Sequence, residues 1–277
     1  MSWGLVLSGG AAFGIANGGV LEVLEREALR PACIAGSSMG AIFAACYAFG
    51  VPVERMRTVI DALSLLNVAR WSDHPLNEGL QGGFLHQELE RHLKPLFGDA
   101  LIADCMIPFV CVAGKLHGSI AWSHIIRKGF REEFEAAVSS HVFPPETKLM
   151  DAVAASSAIP VIFSPAQVSG ERYVDLCHFG PIPARALKER FHPDSIIATD
   201  THPTYDKLRK FLPPGWRDFL EAGDERIVLD KAACDIIIRA DPPAALFRFD
   251  KGAAFWEAGR RAAEETLSTV KSLICSS

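Results

Sequence analysis

Ser38 is the residue whose surroundings in the sequence most clearly predict chemistry. It lies at the centre of Gly36-Ser37-Ser38-Met39-Gly40, between a short apolar run and a stretch rich in small residues. Gly-x-Ser-x-Gly in that context predicts a nucleophile elbow, a strained turn from strand to helix that exposes a serine hydroxyl. The N–H groups and dipole of the following helix favour the negative charge that develops in acyl transfer. A pattern of five residues also arises by chance, so the rest of the chain has to support it.

A glycine-rich loop near the start of the chain is the second candidate. The segment Ser8-Gly9-Gly10-Ala11-Ala12-Phe13-Gly14 follows the apolar run Leu5-Val6-Leu7. Such loops often bind phosphate, but two nucleotide motifs fail here, because Ala11 replaces the middle glycine of Gly-x-Gly-x-x-Gly and Ile15 replaces the P-loop lysine. The loop still offers closely approachable backbone N–H groups, which an oxyanion hole requires.

Strand and helix patterns alternate along the chain and must position these two segments. Helices are predicted from about Ile15 to Glu27, after Ser38 to about Phe49, over 53–66, 84–96 and 151–158, and at the C-terminus. Strands are predicted at 5–7, 33–35, 107–113, 118–122, 161–163, 171–175, 195–199 and 234–239. The alternation predicts an α/β layered fold, and the absence of repeats and linkers in the sequence favours one domain over residues 1–277.

Two segments combine features that suit either protein packing or lipid. The C-terminal helix has an apolar stripe, which we interpret as packing against the protein's own sheet rather than on lipid. Its members are Phe255, Trp256, Gly259, Ala262, Ala263, Leu267, Val270 and Ile274. A second segment contains Lys207, Arg209, Lys210, Phe211, Leu212 and Trp216. We interpret it as a solvated loop, with an interfacial lid as the alternative.

The composition excludes several classes of function. A net charge of -5 over 277 residues argues against a nucleic-acid partner, which would select a basic surface. Seven scattered cysteines without a Cys-x-x-Cys pair are typical of reduced thiols in a cytoplasm. Residues 31–53 contain no charge, but their glycines and prolines predict a buried strand and helix rather than a membrane span. We expect a folded cytoplasmic protein, and the sequence leaves its oligomeric state open.

Four segments, in this order, resemble the patatin-like phospholipases. The family pattern is a glycine-rich loop, a Gly-x-Ser-x-Gly elbow, a small-residue helix ending in Ala-Ile-Pro, and an Asp-Gly segment shortly before a proline. The matching segments are Ser8 to Gly14, Gly36 to Gly40, Ala154-Ala155-Ser156-Ser157-Ala158-Ile159-Pro160, and Tyr173-Val174-Asp175 followed by Pro181-Ile182-Pro183. The strand and helix that close the chain, Ile236 to Ala263, extend the resemblance over nearly its whole length.

The resemblance implies a fold, an activity and a set of site residues. The fold would be a three-layer sandwich with a central, mostly parallel sheet. The activity would be hydrolysis of carboxylic esters of lipids, of phospholipase A or lysophospholipase type, with a lipid or other acyl ester as substrate and transient contact with a membrane surface. Ser38 would be the nucleophile and Asp175 its base, since a carboxylate within hydrogen-bond reach of a serine can accept its proton. The N–H groups of Gly9, Gly10 and Ala11 would hold the oxyanion, and no metal or organic cofactor would be needed.

Three residues depart from the family pattern. Ala11 stands where a third glycine is usual, and Phe13 stands where an arginine or lysine is usual. Leu176 follows Asp175 where glycine is usual, so the turn must be rebuilt or strained if that position requires a positive φ. The departures bear on substrate class and activity rather than on the fold.

Two other interpretations remain open at this point. An ordinary α/β-hydrolase would use Ser38, an acid and a histidine, and His178, His192 and His202 all follow Asp175. A catalytically silent patatin-like domain would instead bind a lipid or a protein partner, as the three departures suggest.

Overall fold

A computed structural model describes residues 2–62, 69–71, 83–87, 89–118, 130–205, 209–212, 214–241, 243–245 and 247–275. These residues include eleven strands. In chain order they are β1 (Trp3–Leu7), β2 (Cys33–Gly36), β3 (Ala69–Trp71), β4 (Gly83–Gln87), β5 (Phe109–Leu116), β6 (Val138–Val142), β7 (Val161–Phe163), β8 (Ala166–Val168), β9 (Glu171–Val174), β10 (Ser195–Asp200) and β11 (Ile236–Arg239).

Helices connect most of these strands. They are α1 (Ala16–Arg26), α2 (Met39–Phe49), α3 (Val53–Ala62), α4 (Leu89–Phe97), α5 (Phe130–Ala137), α6 (Leu149–Ser156), α7 (Ala184–Phe191), α8 (Pro214–Lys231) and α9 (Gly252–Cys275). A 3-10 helix, Ala11–Ile15, leads directly into α1, and further short 3-10 helices are Ile102–Asp104, Cys177–Phe179 and Phe249–Lys251.

A central sheet carries the fold. Its order is β11-β10-β1-β2-β5-β9-β8, with β6 also paired to β5. The five strands from β11 to β5 are parallel, whereas β9 and β6 run antiparallel to β5, and β8 runs antiparallel to β9. A second sheet of three strands has the order β3-β4-β7. The mostly parallel central sheet predicted by the resemblance is confirmed.

Both faces of the central sheet are buried, as parallel sheets require. Alternate residues of β1 point to opposite sides: Leu5 and Leu7 join a core with α1, α2 and α9, whereas Val6 joins a core with α7 and α8. Every residue of β1 is buried, which explains its continuous apolar run. Helices therefore cover the sheet on both sides, and the molecule has the three layers that we expected.

The C-terminal helix α9 packs against α1 at very short range. A Cβ atom placed on Gly259 would lie 1.8 Å from the carbonyl oxygen of Ala16, and one placed on Gly19 would lie 1.9 Å from that of Trp256. Phe255 and Trp256 are buried beside this contact. The apolar stripe of α9 thus packs inside the protein, which confirms that interpretation over lipid docking.

Most predicted elements are confirmed, and one is wrong. The predicted helix over 84–96 is a strand, β4, followed by α4, which begins only at Leu89. The helical spacing came from the leucines of α4. The prediction wrongly extended the helix to the preceding residues, which form β4 and pair with β3 and β7. The last four residues of the helix predicted over 53–66 and nearly all of the strand predicted over 118–122 lie outside the described residues.

The uncharged segment 31–53 forms β2, the elbow and α2, as predicted. In the part of the chain that the structure describes, no helix has both the length and the apolar character needed to cross a membrane.

The α1–α9 contact yields a stability prediction. We expect Gly259→Ala to lower the free energy of unfolding by about 1–3 kcal/mol, because overpacking against a backbone carbonyl outweighs the gain of about 1 kcal/mol in helix propensity. Urea unfolding measures the change. Ser268→Ala, on the exposed side of the same helix, is the control and should stay within about 0.5 kcal/mol of the original protein. Equal stability of the Gly259→Ala variant would contradict the close contact.

Candidate active site

Ser38 stands on a strained turn between β2 and α2. Its backbone angles are φ 55° and ψ -129°, a region that residues with a side chain rarely occupy. The glycines of the motif allow the turn, because a Cβ on Gly40 would lie 2.1 Å from the carbonyl oxygen of Leu7 and one on Gly36 would lie 2.5 Å from that of Gly40. The geometry is that of the nucleophile elbow predicted from the sequence.

Hydrogen bonding from the Ser38 hydroxyl favours the ionised carboxylate of Asp175 and opposes the rise in its pKa, and the two residues line the same cleft. Both side chains are largely buried, with 8% of Ser38 and 2% of Asp175 exposed. The same carboxylate accepts the backbone N–H of Cys177 at 2.7 Å. The structure therefore brings together the two residues for which the sequence predicted a nucleophile and a base.

The end of α6 fixes both of these residues. The N–H of Ser38 donates to the hydroxyl of Ser156 at 2.9 Å, and the hydroxyl of Ser157 donates to the carbonyl of Ser38 at 3.4 Å. The N–H of Asp175 donates to the carbonyl of Ala158 at 2.8 Å. The small-residue helix identified in the sequence is thus the common support of the pair, and Ser156 and Ser157 have positioning roles that the sequence did not reveal.

The glycine-rich loop lies across the cleft from this pair. The N–H of Gly9 donates to the carbonyl of Pro181 at 2.8 Å, so it is already used within the protein. Within the described part of the chain, the N–H groups of Gly10 and Ala11 donate to no protein acceptor. Two of the three predicted oxyanion donors therefore remain available, while Gly9 joins the loop to the segment that follows Asp175.

A narrow cleft of about 100 Å³ contains these groups. The other described residues that line the cleft are Ile159, Cys177, His202, Pro203, Tyr205 and Phe247. Phe247 is half exposed and lies at the edge of the lining.

A comparison with known protein families covers most of the residues that form the cleft. A family model described as patatin-like phospholipase matches residues 5–175, from β1 to the aspartate that contacts Ser38. The chain belongs to the patatin-like phospholipase family. That membership supports lipid ester hydrolysis as the class of activity.

Two solved structures are similar in fold to this patatin-like chain. One is VipD from Legionella pneumophila, with 13% sequence identity and a TM-score of 0.46, matched over 97% of this chain and 67% of that one. The other is the type III effector protein ExoU, with 14% identity and a TM-score of 0.47, matched over 96% of this chain and 53% of that one. The chain thus spans about two thirds of the first protein and about half of the second.

The three departures from the patatin-like pattern have structural explanations. Ala11 adopts a positive φ of 47°, where glycine would be free of a cost on the order of 1 kcal/mol. Phe13 is buried with its ring 5.4 Å from that of Phe255, so it packs on α9 instead of facing a ligand. Leu176 is right-handed with φ -67°, and the positive φ falls on Cys177 at 50°. The turn after Asp175 has been rebuilt.

The histidines do not form a serine–histidine–aspartate arrangement. His178 directs Nε2 at the carbonyl of Leu220, 2.9 Å away, and at the carboxylate of Asp224, 3.1 Å away. Since a carbonyl only accepts, Nε2 carries the proton and Nδ1 accepts from Nε2 of His202 at 2.6 Å. His192 ends α7 outside the cleft lining. Neither nitrogen of His178 is available to Ser38, which disfavours the α/β-hydrolase interpretation.

The pKa values in the cleft follow from burial. Burial raises the pKa of Asp175 to about 6, although the hydrogen bonds from Ser38 and Cys177 oppose it. Burial and the neighbouring His178 lower the pKa of His202 to about 3, so its ring is neutral near pH 7. Near pH 7, Asp175 is therefore mostly ionised, and its raised pKa makes it a stronger base than an exposed aspartate.

Other residues at the site were not predicted from the sequence. Thr199 and Thr201 at the end of β10, and Asn17 in α1, hydrogen-bond to Ser8 at the start of the glycine-rich loop. His202, one of the three histidines named for the α/β-hydrolase alternative, and the unpredicted Tyr205 also line the cleft. The one available signal was a polar run after a buried strand, because the carboxyl ends of parallel strands meet at one edge of a sheet.

The raised pKa of Asp175 predicts a pH-dependent gain in stability on mutation. The unfolded aspartate ionises near pH 3.9, so burying its charge costs free energy as pH rises from about 4 to about 6, and the cost is constant above that. We expect Asp175→Asn to raise the free energy of unfolding by about 1–3 kcal/mol at pH 8 and by much less at pH 4. Urea unfolding at both pH values measures this. A gain that is equal at both pH values would contradict the burial effect.

Proposed function

We propose that this chain is a serine acyl hydrolase that cleaves carboxylic ester bonds of lipids, of phospholipase A or lysophospholipase type. The observation that carries the proposal is that Ser38, on its strained elbow, and the buried carboxylate of Asp175 line one cleft, where hydrogen bonding from Ser38 favours the ionised carboxylate. Membership of the family supports a lipid ester as the substrate. Free thiols at all seven cysteines support a cytoplasmic location.

The proposed reaction has two halves. Ser38 Oγ attacks the ester carbonyl carbon while Asp175 accepts its proton, and the N–H groups of Gly10 and Ala11 bind the oxyanion. The tetrahedral intermediate collapses with loss of the alcohol, which takes the proton from Asp175 and leaves an acyl group on Ser38. Water then attacks the acyl-enzyme while Asp175 accepts a proton from it. When the second tetrahedral intermediate collapses, the bond to Ser38 Oγ breaks, Oγ takes that proton from Asp175, and the fatty acid leaves. Every proton is accounted for by the dyad.

The dimensions of the cleft bear on the substrate. A cleft of about 100 Å³ has room for the ester and adjacent atoms, whereas sites that enclose a whole ligand are several times larger. The acyl chain and head group therefore extend past the described lining, toward Phe247. An exposed aromatic ring at this edge supports transient contact with a lipid surface during substrate capture.

The dyad predicts the outcome of an ester hydrolysis assay. With p-nitrophenyl esters from acetate to palmitate, we expect activity in the original protein and a loss of at least about 1,000-fold in kcat for Ser38→Ala and Asp175→Asn. The chain-length profile defines the acyl preference. Ser37→Ala is the matched control, since the neighbouring Ser37 hydroxyl has no hydrogen-bond partner in the described structure.

Two results would contradict the proposal. Full activity of Asp175→Asn would remove Asp175 as the base. No hydrolysis by a folded original protein at any chain length, together with no labelling of Ser38 by a fluorophosphonate, would instead favour the silent binding domain.

The pKa of Asp175 predicts the pH dependence of the reaction. The base must be ionised to accept the Ser38 proton, so kcat/KM should fall tenfold per pH unit below about pH 6 and be constant above it. If kcat/KM instead began to fall near pH 4, Asp175 would not be buried in the free enzyme. If kcat/KM fell below about pH 7, and this fall disappeared in His202→Gln, the histidine would be the base.

A further inference from the structure

Three successive peptide groups of the glycine-rich loop, from Ser8 to Ala11, are held by their carbonyl oxygens. In a trans peptide the C=O and the following N–H point in opposite directions, so fixing one aims the other. The carbonyl of Ser8 accepts Asn17 Nδ2 at 2.9 Å, and the N–H on that peptide, from Gly9, reaches Pro181. The carbonyl of Gly10 accepts the N–H of Phe13 at 2.9 Å, and the N–H on that peptide belongs to Ala11.

A side chain that is distant in the sequence holds the peptide between Gly9 and Gly10. The hydroxyl of Thr201 lies 3.2 Å from the carbonyl oxygen of Gly9 and 3.3 Å from that of Ser8. Both oxygens only accept, so Thr201 Oγ1 is the donor. The opposite side of this peptide carries the Gly10 N–H, which lies at the cleft.

A closed network holds Thr201 itself. Its N–H donates to Ser8 Oγ at 2.8 Å, and because its own proton goes to a carbonyl, its Oγ1 accepts from Ser8 Oγ, also at 2.8 Å. Thr199 Oγ1 accepts the N–H of Ser8 at 2.9 Å and donates to Asn17 Oδ1 at 2.6 Å. These four side chains are at most 2% exposed. Buried networks whose donors and acceptors are satisfied are rigid.

The loop also fits against Thr201 without a gap. A Cβ on Gly10 would lie 2.3 Å from the carbonyl oxygen of Thr201, so the loop backbone rests directly on the backbone that follows β10. The Gly9–Gly10 peptide has contacts that prevent it from shifting and a hydrogen bond that prevents it from rotating.

We propose that Thr201 is a positioning residue, which aims the Gly10 N–H at the oxyanion by holding the carbonyl on the other side of the same peptide. The proposal rests on the acyl hydrolase function proposed above. A donor to that carbonyl also polarises the peptide and strengthens its N–H as a donor to negative charge. Thr201 acts only through Gly10, so its effect belongs to the transition state and not to substrate binding.

The test compares Thr201→Val with Thr201→Ser. Valine keeps the shape and removes the hydroxyl, whereas serine keeps the hydroxyl. We expect Thr201→Val to lower kcat about 10- to 100-fold with KM changed less than about threefold, and to slow fluorophosphonate labelling of Ser38 to a similar degree. Thr201→Ser should stay within about threefold of the original kcat. The control Ser195→Ala removes a buried hydroxyl from the same strand, outside the network, and should leave kcat unchanged.

The outcomes separate this proposal from the one on which it rests. If the original protein hydrolyses esters and folded Thr201→Val keeps its kcat, only the role of Thr201 is overturned. Equal losses in Thr201→Val and Thr201→Ser also overturn it, because the hydroxyl would not be the cause. If the original protein hydrolyses no ester, both proposals fail. Should Thr201→Val not fold, Ser8→Ala removes the partner of the Thr201 hydroxyl and should lower kcat about tenfold; an unchanged kcat would overturn the proposal.

Discussion

The backbone of Ser38 is the constraint on which the site depends. Its φ of 55° costs on the order of 1–3 kcal/mol, and such a conformation persists only where the surroundings determine it fully. Here Ser156 and Ser157 hold the N–H and carbonyl of Ser38, and the contact between Gly40 and the Leu7 carbonyl leaves no alternative path for the chain. A tight core on both faces of the sheet is needed to maintain that turn, and the helices that cover β1 and β2 provide it.

The sheet explains why distant segments meet beside Ser38. The parallel strands β1, β2 and β10 deliver the glycine-rich loop, the elbow and Thr201 to one edge, where α/β sheets commonly bind ligands. Asp175 arrives differently, because β9 is antiparallel. Strand β5 continues past its pairing of Cys111 with Gly36, and β9 runs back along this extension with Val174 opposite Gly114. The reversal returns Asp175 to the edge that the parallel strands reach directly.

Much of this was predictable from local patterns. The buried strands, the elbow and the stripe of α9 follow from apolar spacing and glycine placement, which depend on near neighbours in the sequence. The helix predicted over 84–96 was wrong in its first part because strand pairing overrode a helical spacing that truly began at Leu89. The roles of Thr201, Asn17 and Ser156 could not be predicted, since each is set by a hydrogen bond across the fold. The positive φ at Cys177 rather than at Leu176 has no signal in the local sequence.

The position of β10 beside β1 has a consequence for how the protein matures. Strand β1 is synthesised well before Thr201, which completes its loop and lies 192 residues after Gly9, and before α9, which covers α1. Pairing across such a separation is slow, since the loop-closure entropy comes before the contacts that repay it. The nascent chain would therefore carry Ser38 long before it carries a complete cleft, and the proposed lipid-cleaving activity would first appear only once Thr201 and α9 have been added.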